Sequence, residues 1–196
     1  MFNSDVNHAL DFLNPDLCKS YDSGTTFLVK EKIESGKACI QITTPLPCIH
    51  IRDLDKSKYG LLSLQKCADH IILKYNTANN SWDVHIIELK RTISRDKWET
   101  SITHQFHGAL LNAFALCGIL HISPENIRNI YAHCGYRRNT SHDSLIEQKL
   151  LLGESARQMD WLTAPLTFDY LPGQSIINLA VQLDKETGEA TFSLPS

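Results

Sequence analysis

The chain has 196 residues, 42% of them apolar and 21% charged, with a formal net charge of −3 at neutral pH. That is the profile of a single globular unit large enough for a real core, and it excludes a protein that coats nucleic acid through bulk positive charge. Cys18, Cys39, Cys48, Cys67, Cys117 and Cys134 are scattered without a C-x-x-C pair, which argues against a clustered zinc site and fits reduced thiols in a cytoplasmic compartment.

The opening residues, with Asp5 and Asp11, lack the basic-then-apolar pattern of a signal peptide. Residues 5–13 read as a weak helix that stops at Asn14-Pro15. Thr25 to Ser35 reads as a short helix ended by Gly36 in a left-handed cap, with Phe27, Leu28 and Ile33 facing the core. Glu31 and Glu34 follow one another at helical spacing, and solvated carboxylates are the ordinary explanation for both. Ala38 to Leu54 reads as extended structure broken by Pro45 and Pro47, and Lys56 to Leu64 as a polar connection.

Lys66 to Thr92 is the centre of the pattern. Two segments rich in Ile, Val and Leu flank Asn76-Thr77-Ala78-Asn79-Asn80-Ser81, a run of turn-forming residues. Folded as an antiparallel hairpin about that turn, Leu73 falls opposite Val84, Ile71 opposite Ile86 and Asp69 opposite Glu88. Alternation then places these six residues on one face, with Lys90 two residues beyond Glu88 on the same side. A strand-end salt bridge between Glu88 and Lys90, with Asp69 capping a turn, is the plain structural reading. Two carboxylates and an ammonium ending an otherwise apolar face also suit a divalent cation and its chemistry.

Ser94 to Cys117 is the longest helical signal, with Ser94 as N-cap and Trp98, Ile102, Ala109, Ala113 and Leu116 forming the stripe that packs on the sheet. Gln105 falls inside that stripe, where it can orient a carboxylate, a water or a phosphate. His104 and His107 read as solvated. The apolar run from Gly108 to Ile122 contains Asn112 and is too short to cross a bilayer. Asn126 to Tyr136 reads as a strand leading into an Arg137-Arg138-Asn139-Thr140-Ser141 loop, which can grip phosphate or simply face solvent. Ser144 to Met159 reads as a helix. Ile176 to Leu183 and Ala190 to Leu194 read as a terminal hairpin, with Gly188 supplying the positive φ of its turn.

Asp69, the run Ile86-Ile87-Glu88-Leu89-Lys90, and Gln105 on the following helix resemble the PD-(D/E)XK nuclease superfamily. The resemblance covers about residues 25–136 of one domain spanning 1–196. It implies an α/β fold with a restriction-endonuclease-like α-β-β-β-α-β core, a mixed central sheet flanked by helices, to which the C-terminal hairpin is added. The 18 residues between Asp69 and Glu88 suit a hairpin, and Ala68 stands where the motif's Pro would be. The resemblance implies a nuclease that hydrolyses phosphodiester bonds of DNA or RNA with Mg2+ or Mn2+. Asp69, Glu88 and the backbone carbonyl of Leu89 would be metal ligands, with Glu31 or Glu34 adding an acid from the first helix.

Magnesium is commonly held by one or two carboxylates together with substrate phosphate, which matches this inventory. Lys90 would stabilise the transition state or orient water. Positive neighbours would lower its pKa toward that of a general base. Gln105 would position the water or Lys90, and Arg91, Arg95, Lys97, Arg137 and Arg138 would contact phosphates. A homodimer paired through the terminal hairpin is compatible with this scheme, and no membrane association is expected. The alternatives are a catalytically inactive nuclease-fold binding or regulatory module and a small-ligand enzyme using the same acidic cluster.

Overall fold

A computed structural model describes residues 2–31, 38–52, 66–139, 160–169, 171 and 175–195. The Asn3 side chain accepts from the Val6 N–H and caps α1 (Ser4–Leu10), which buries Val6 and Ala9. Strands β1 (Cys18–Tyr21), β2 (Thr26–Lys30), β3 (Cys39–Thr43) and β4 (Cys48–Arg52) follow. Next come the central hairpin of β5 (His70–Asn76) and β6 (Ser81–Ile93), and then a helical stretch. That stretch opens as α2 (Arg95–Lys97), passes through a π-turn at Trp98–Ile102, and continues as α3 (Thr103–Ile119). β7 (Ile127–Asn139), β8 (Ile177–Gln182) and β9 (Glu189–Ser193) complete the described elements. No described helix is long and apolar enough to cross a membrane.

The strands form two sheets. The larger has the order β1-β4-β5-β6-β7-β8, antiparallel as far as β6, with β7 parallel to β6 and β8 parallel to β7. The smaller has the order β2-β3-β9, with β2 antiparallel and β9 parallel to β3. The architecture is therefore α/β with mixed sheets. The hairpin register is the expected one: Ile71 pairs with Ile86 and Leu73 with Val84. Asn80 takes the left-handed conformation (φ 52°) that closes the turn.

Both faces of the hairpin are covered. Ile71, Leu73, Val84 and Ile86 pack with α1 and with Phe106, Ala109, Leu110 and Ala113 of α3. Ile72, Ile87 and Leu89 point the other way, into a second cluster with Phe27, Val29, Ile40 and Ile42 of the small sheet. Near-continuous burial along β5 explains why its sequence is an apolar run rather than a clean alternation. The interlayer also holds polar side chains. His85 Nδ1 and His133 Nε2 lie 3.0 Å apart with both rings buried, and the buried Lys74 pairs with Asp83 at 2.9 Å and donates to the Pro195 carbonyl.

Several expectations change. Residues 25–30 form strand β2, not a helix: Phe27 and Val29 are buried, Thr26, Leu28 and Lys30 are exposed, and β3 supplies the backbone partners. Ile33, Glu34, Ser35 and Gly36 lie outside the described residues, as do the 56–64 connection and the 144–159 helix. The terminal hairpin does not form. The Asp184 to Gly188 turn is present, with Gly188 at φ 72° and its N–H donated to the Asp184 carbonyl at 2.9 Å. The strands either side of it then part, β8 joining the large sheet and β9 the small one. Helices flank one face of the central sheet among the described residues, and a sheet covers the other. β7 runs on to Asn139, so Arg137 and Arg138 lie on a strand instead of in a loop. β1 carried no expectation at all.

The chain entering β5 is pressed onto α3. Ala68 N–H donates to the Gln105 carbonyl at 3.1 Å. Asn112 Nδ2 donates to the Gly108 carbonyl at 3.0 Å and approaches Cys67 Sγ at 3.4 Å. A Cβ on Gly108 would stand 1.8 Å from the Lys66 carbonyl oxygen, so only glycine permits this approach. Gly108→Ala is expected to cost about 1–3 kcal/mol through overpacking, read as a lower urea midpoint.

The imidazole pair makes a separate prediction. Burial lowers the pKa of His133 to about 3 and drives that of His85 well down, so neither ring protonates where an unfolded histidine would. Below the unfolded value of 6.5 the unfolded chain takes up protons that the native state refuses, and stability drops as the pH falls toward 3. His133→Phe should remove part of that loss, measured as the shift in urea midpoint between pH 7 and pH 4.

Candidate functional site

The β5–β6 ladder ends at the His70–Ile87 pair. Beyond it, the next backbone donors would be left without strand partners, and two side chains take them up. Leu89 N–H donates to Asp69 Oδ2 at 2.8 Å, and Asp69 N–H donates to Glu88 Oε2 at 3.2 Å. Each carboxylate thus holds the other strand's backbone, and Asp69 lies across from Glu88 as the register requires. Glu88 Oε1 pairs with the Lys90 ammonium. The Glu88 side chain is 0% exposed, whereas Lys90 retains 29% of its surface. Cys134 of β7 sits beside Glu88 in the parallel register, and burial keeps it a thiol.

Glu31, on the small sheet, lies within electrostatic reach of this corner. It follows the last residue of β2, and its electrostatic neighbours are Asp69 and Lys90. Burial and then Asp69 raise its pKa, and Lys90 opposes them. Glu88 is affected more strongly: burial first, then Asp69, push its pKa up to about 8 against the pull of Lys90. Burial works against the Lys90 ammonium, yet Glu88, with Asp69 and Glu31 behind it, holds the Lys90 proton more tightly than usual. This reverses the expectation of a lysine depressed by positive neighbours, because the groups around it are three carboxylates. Three carboxylates surround one ammonium, and Glu88, sealed from water beside Asp69, is the one that holds its proton furthest above the usual range.

The other expected residues divide. Gln105 lies on α3 above Ala68, and its buried side-chain Oε1 has no hydrogen-bond partner among the described residues. Leu89 is in place between Glu88 and Lys90, with its N–H committed to Asp69. Arg91, Lys97 and Arg138 are exposed. Arg95 Nε pairs with Glu99 at 2.9 Å on the helix surface. Arg137 donates to the carbonyls of Lys185 and Glu186 at 2.8 and 2.9 Å, so it holds the Asp184 to Gly188 turn. His107 stacks on Phe168 at 4.8 Å and His104 is exposed. Sequence reasoning passed over His50, His70 and Cys134. Their signal was a polar or thiol residue at a position that alternation assigns to the interior.

The donor set fits a hard divalent ion in kind: carboxylate and carbonyl oxygens beside an ammonium, with more negative charge than one lysine balances. In its present arrangement Glu88 is sealed from solvent, while Asp69 and Lys90 remain partly exposed. Among the described residues, no three His, Cys, Asp or Glu side chains converge as a ready-made metal cage. Glu88 is turned to Lys90 and to the Asp69 amide, and an ion held here would draw the remainder of its shell from water and phosphate. No protein-family model, curated protein or solved structure matches the chain at a significant level.

The raised pKa of Glu88 has a definite sign for stability. Below the ordinary value of 4.5 both native and unfolded states hold the proton. Between 4.5 and about 8 only the native state does, so its stability falls as the pH rises through that window and levels off above it. Glu88→Gln is expected to flatten the decline, seen by comparing urea denaturation at pH 5 and pH 9 with a chelator present. An unchanged slope in the variant would remove Glu88 as its cause.

Proposed function

We propose that the chain is a Mg2+- or Mn2+-dependent nuclease that hydrolyses phosphodiester bonds of DNA or RNA. The reading is carried by one observation: Asp69, Glu88 and Lys90 meet at a sheet corner beside Glu31. The strand order supports a restriction-endonuclease-like core of the PD-(D/E)XK kind. β4, β5 and β6 form an antiparallel meander, a helix follows, and β7 returns parallel to β6. That is the β-β-β-α-β portion of the expected arrangement, with the acid ahead of the second strand and E-x-K in the third. Glu31 enters from a strand, where the resemblance implied a helix.

Asp69 and Glu88 would hold the ion, with Glu31 and the Leu89 carbonyl as further oxygen donors. When bound, a divalent ion neutralises charge on phosphoryl oxygens and makes a coordinated water more acidic. In the metal-free corner the carboxylates around Lys90 hold its proton, which suits it to the role of a cation. It would stabilise the negative charge that develops on phosphate and orient the attacking water. The buried Gln105 Oε1, without a partner among the described residues, can accept from that water or from the Lys90 ammonium. Arg91, Lys97 and Arg138 are available to phosphates, whereas Arg137 is engaged with the turn. A homodimer remains compatible, but not through a terminal hairpin; β8 and β9 are instead separate sheet edges.

The closed state of Glu88 favours a second reading, a nuclease-fold binding module without chemistry. Calorimetric titration with Mn2+ and incubation with single- and double-stranded DNA and RNA separate the two. The nuclease is expected to bind Mn2+ in a manner that Asp69→Asn abolishes. It should also lose about 100-fold or more in cleavage rate on Lys90→Ala. Metal binding that is absent, or cleavage that survives Lys90→Ala intact, would defeat it.

A further inference from the structure

Asp69 and His70 are neighbours in sequence, and alternation sends their side chains to opposite faces of β5. Asp69 faces the candidate site. His70 enters the layer between the sheets, where its Nε2 lies 3.2 Å from the Lys30 carbonyl and its Nδ1 lies 3.0 Å from His50 Nε2. A carbonyl only accepts, so His70 Nε2 carries the hydrogen. In the neutral ring Nδ1 then accepts, and His50 Nε2 donates to it. Both rings are buried. They end an aromatic row in which Tyr21 stacks on Phe27 at 4.3 Å, Phe27 stacks on His50 at 5.0 Å, and the tilted His70 ring follows 5.1 Å further on. The row joins β1, β2, β4 and β5.

The bond from His70 falls on the peptide that links Lys30 to Glu31. The carbonyl of that peptide is held by His70 from the large sheet. Its N–H, belonging to Glu31, donates to the Ala38 carbonyl at 3.0 Å within the small sheet. A trans peptide points these two groups in opposite directions, so one rigid plane is pinned from both sides. The residue that the plane delivers is Glu31.

We infer that His70, oriented by His50, is a positioning residue that sets the Glu31 carboxylate at the Asp69–Glu88–Lys90 corner. The inference rests on the metal-site reading for its consequence, though not for its geometry. His70 does not touch the site; it acts through the backbone of β2. Supporting partners of this kind commonly govern metal affinity by roughly 10- to 100-fold.

The test is Mn2+ calorimetry on the full chain and four single variants. His70→Phe removes the donor and keeps a ring. His70→Asn reaches only the Nδ1 position, and His70→Gln restores a donor at the reach of Nε2. His70→Phe, His70→Asn and Glu31→Ala should each weaken Mn2+ binding about tenfold, while His70→Gln binds like the parent. The double variant His70→Phe with Glu31→Ala should bind no more weakly than Glu31→Ala alone. Multiplying losses, or parental affinity in His70→Phe, would overturn the inference. Should His70→Phe fail to fold, the contrast between the Asn and Gln variants carries the same test. If the parent takes up no Mn2+, the metal reading fails by itself, and amide exchange in the metal-free protein decides. Protection lost at Glu31 but kept at Val29 in the His70→Asn variant upholds the positioning role, and unchanged protection at Glu31 refutes it.

Discussion

Two strands that stop pairing one residue too early leave backbone donors that must go somewhere, and Asp69 and Glu88 are where they go. The reciprocal bonds, Leu89 N–H to Asp69 and Asp69 N–H to Glu88, replace a missing rung of the sheet with two carboxylates. Buried carboxylates are costly unless they are satisfied by hydrogen bonds or by opposite charge. Here both kinds of compensation are used, and Lys90 supplies the charge. The rest of the molecule maintains the geometry. The 66–69 segment lies against α3 through Gly108, Gln105 and Asn112, and Asp69 has little room to move away from Glu88.

The compensation is incomplete. Burial, and then the neighbouring Asp69, leave Glu88 holding a proton well above the usual carboxylate range despite Lys90. A corner with surplus negative charge and a retained proton is one that a divalent cation would relieve, releasing the proton as it binds. The proposed metal site would draw on the same electrostatics that raise the Glu88 pKa. The features that make the native state sensitive to rising pH are those that would give a cation its place.

The second sheet gives the site its other side. Long apolar strands in the middle of the chain need cover on both faces, and α3 with α1 covers only one. The β2-β3-β9 sheet covers the other, bringing Phe27, Val29, Ile40 and Ile42 onto Ile72, Ile87 and Leu89. That packing also carries Glu31 to the end of the hairpin. The imidazoles in the interlayer are polar groups in an otherwise apolar contact. The hydrogen bond from His70 to the Lys30 carbonyl shows the use of one of them, since it ties the two sheets together next to the site.

Alternation and turn chemistry within 66–92 were enough to set the hairpin, its register and the shared side of Asp69, Glu88 and Lys90, because these depend on neighbours within a few residues of a tight turn. The Ser94 cap and the apolar stripe of the long helix were legible for the same local reason. Residues 25–30 were not: Phe27, Leu28 and Val29 suit either a helix or a strand, and only the partner β3 decides between them. The parting of β8 from β9 was equally hidden, since a good turn says nothing about which sheets its arms will join. The composition and spacing of the chain determined that two acids and a lysine would stand together. Tertiary packing alone decided that one acid would be sealed from water, that a third would arrive from another sheet, and that a histidine would hold it there, because burial and strand partnership are properties of distant segments meeting.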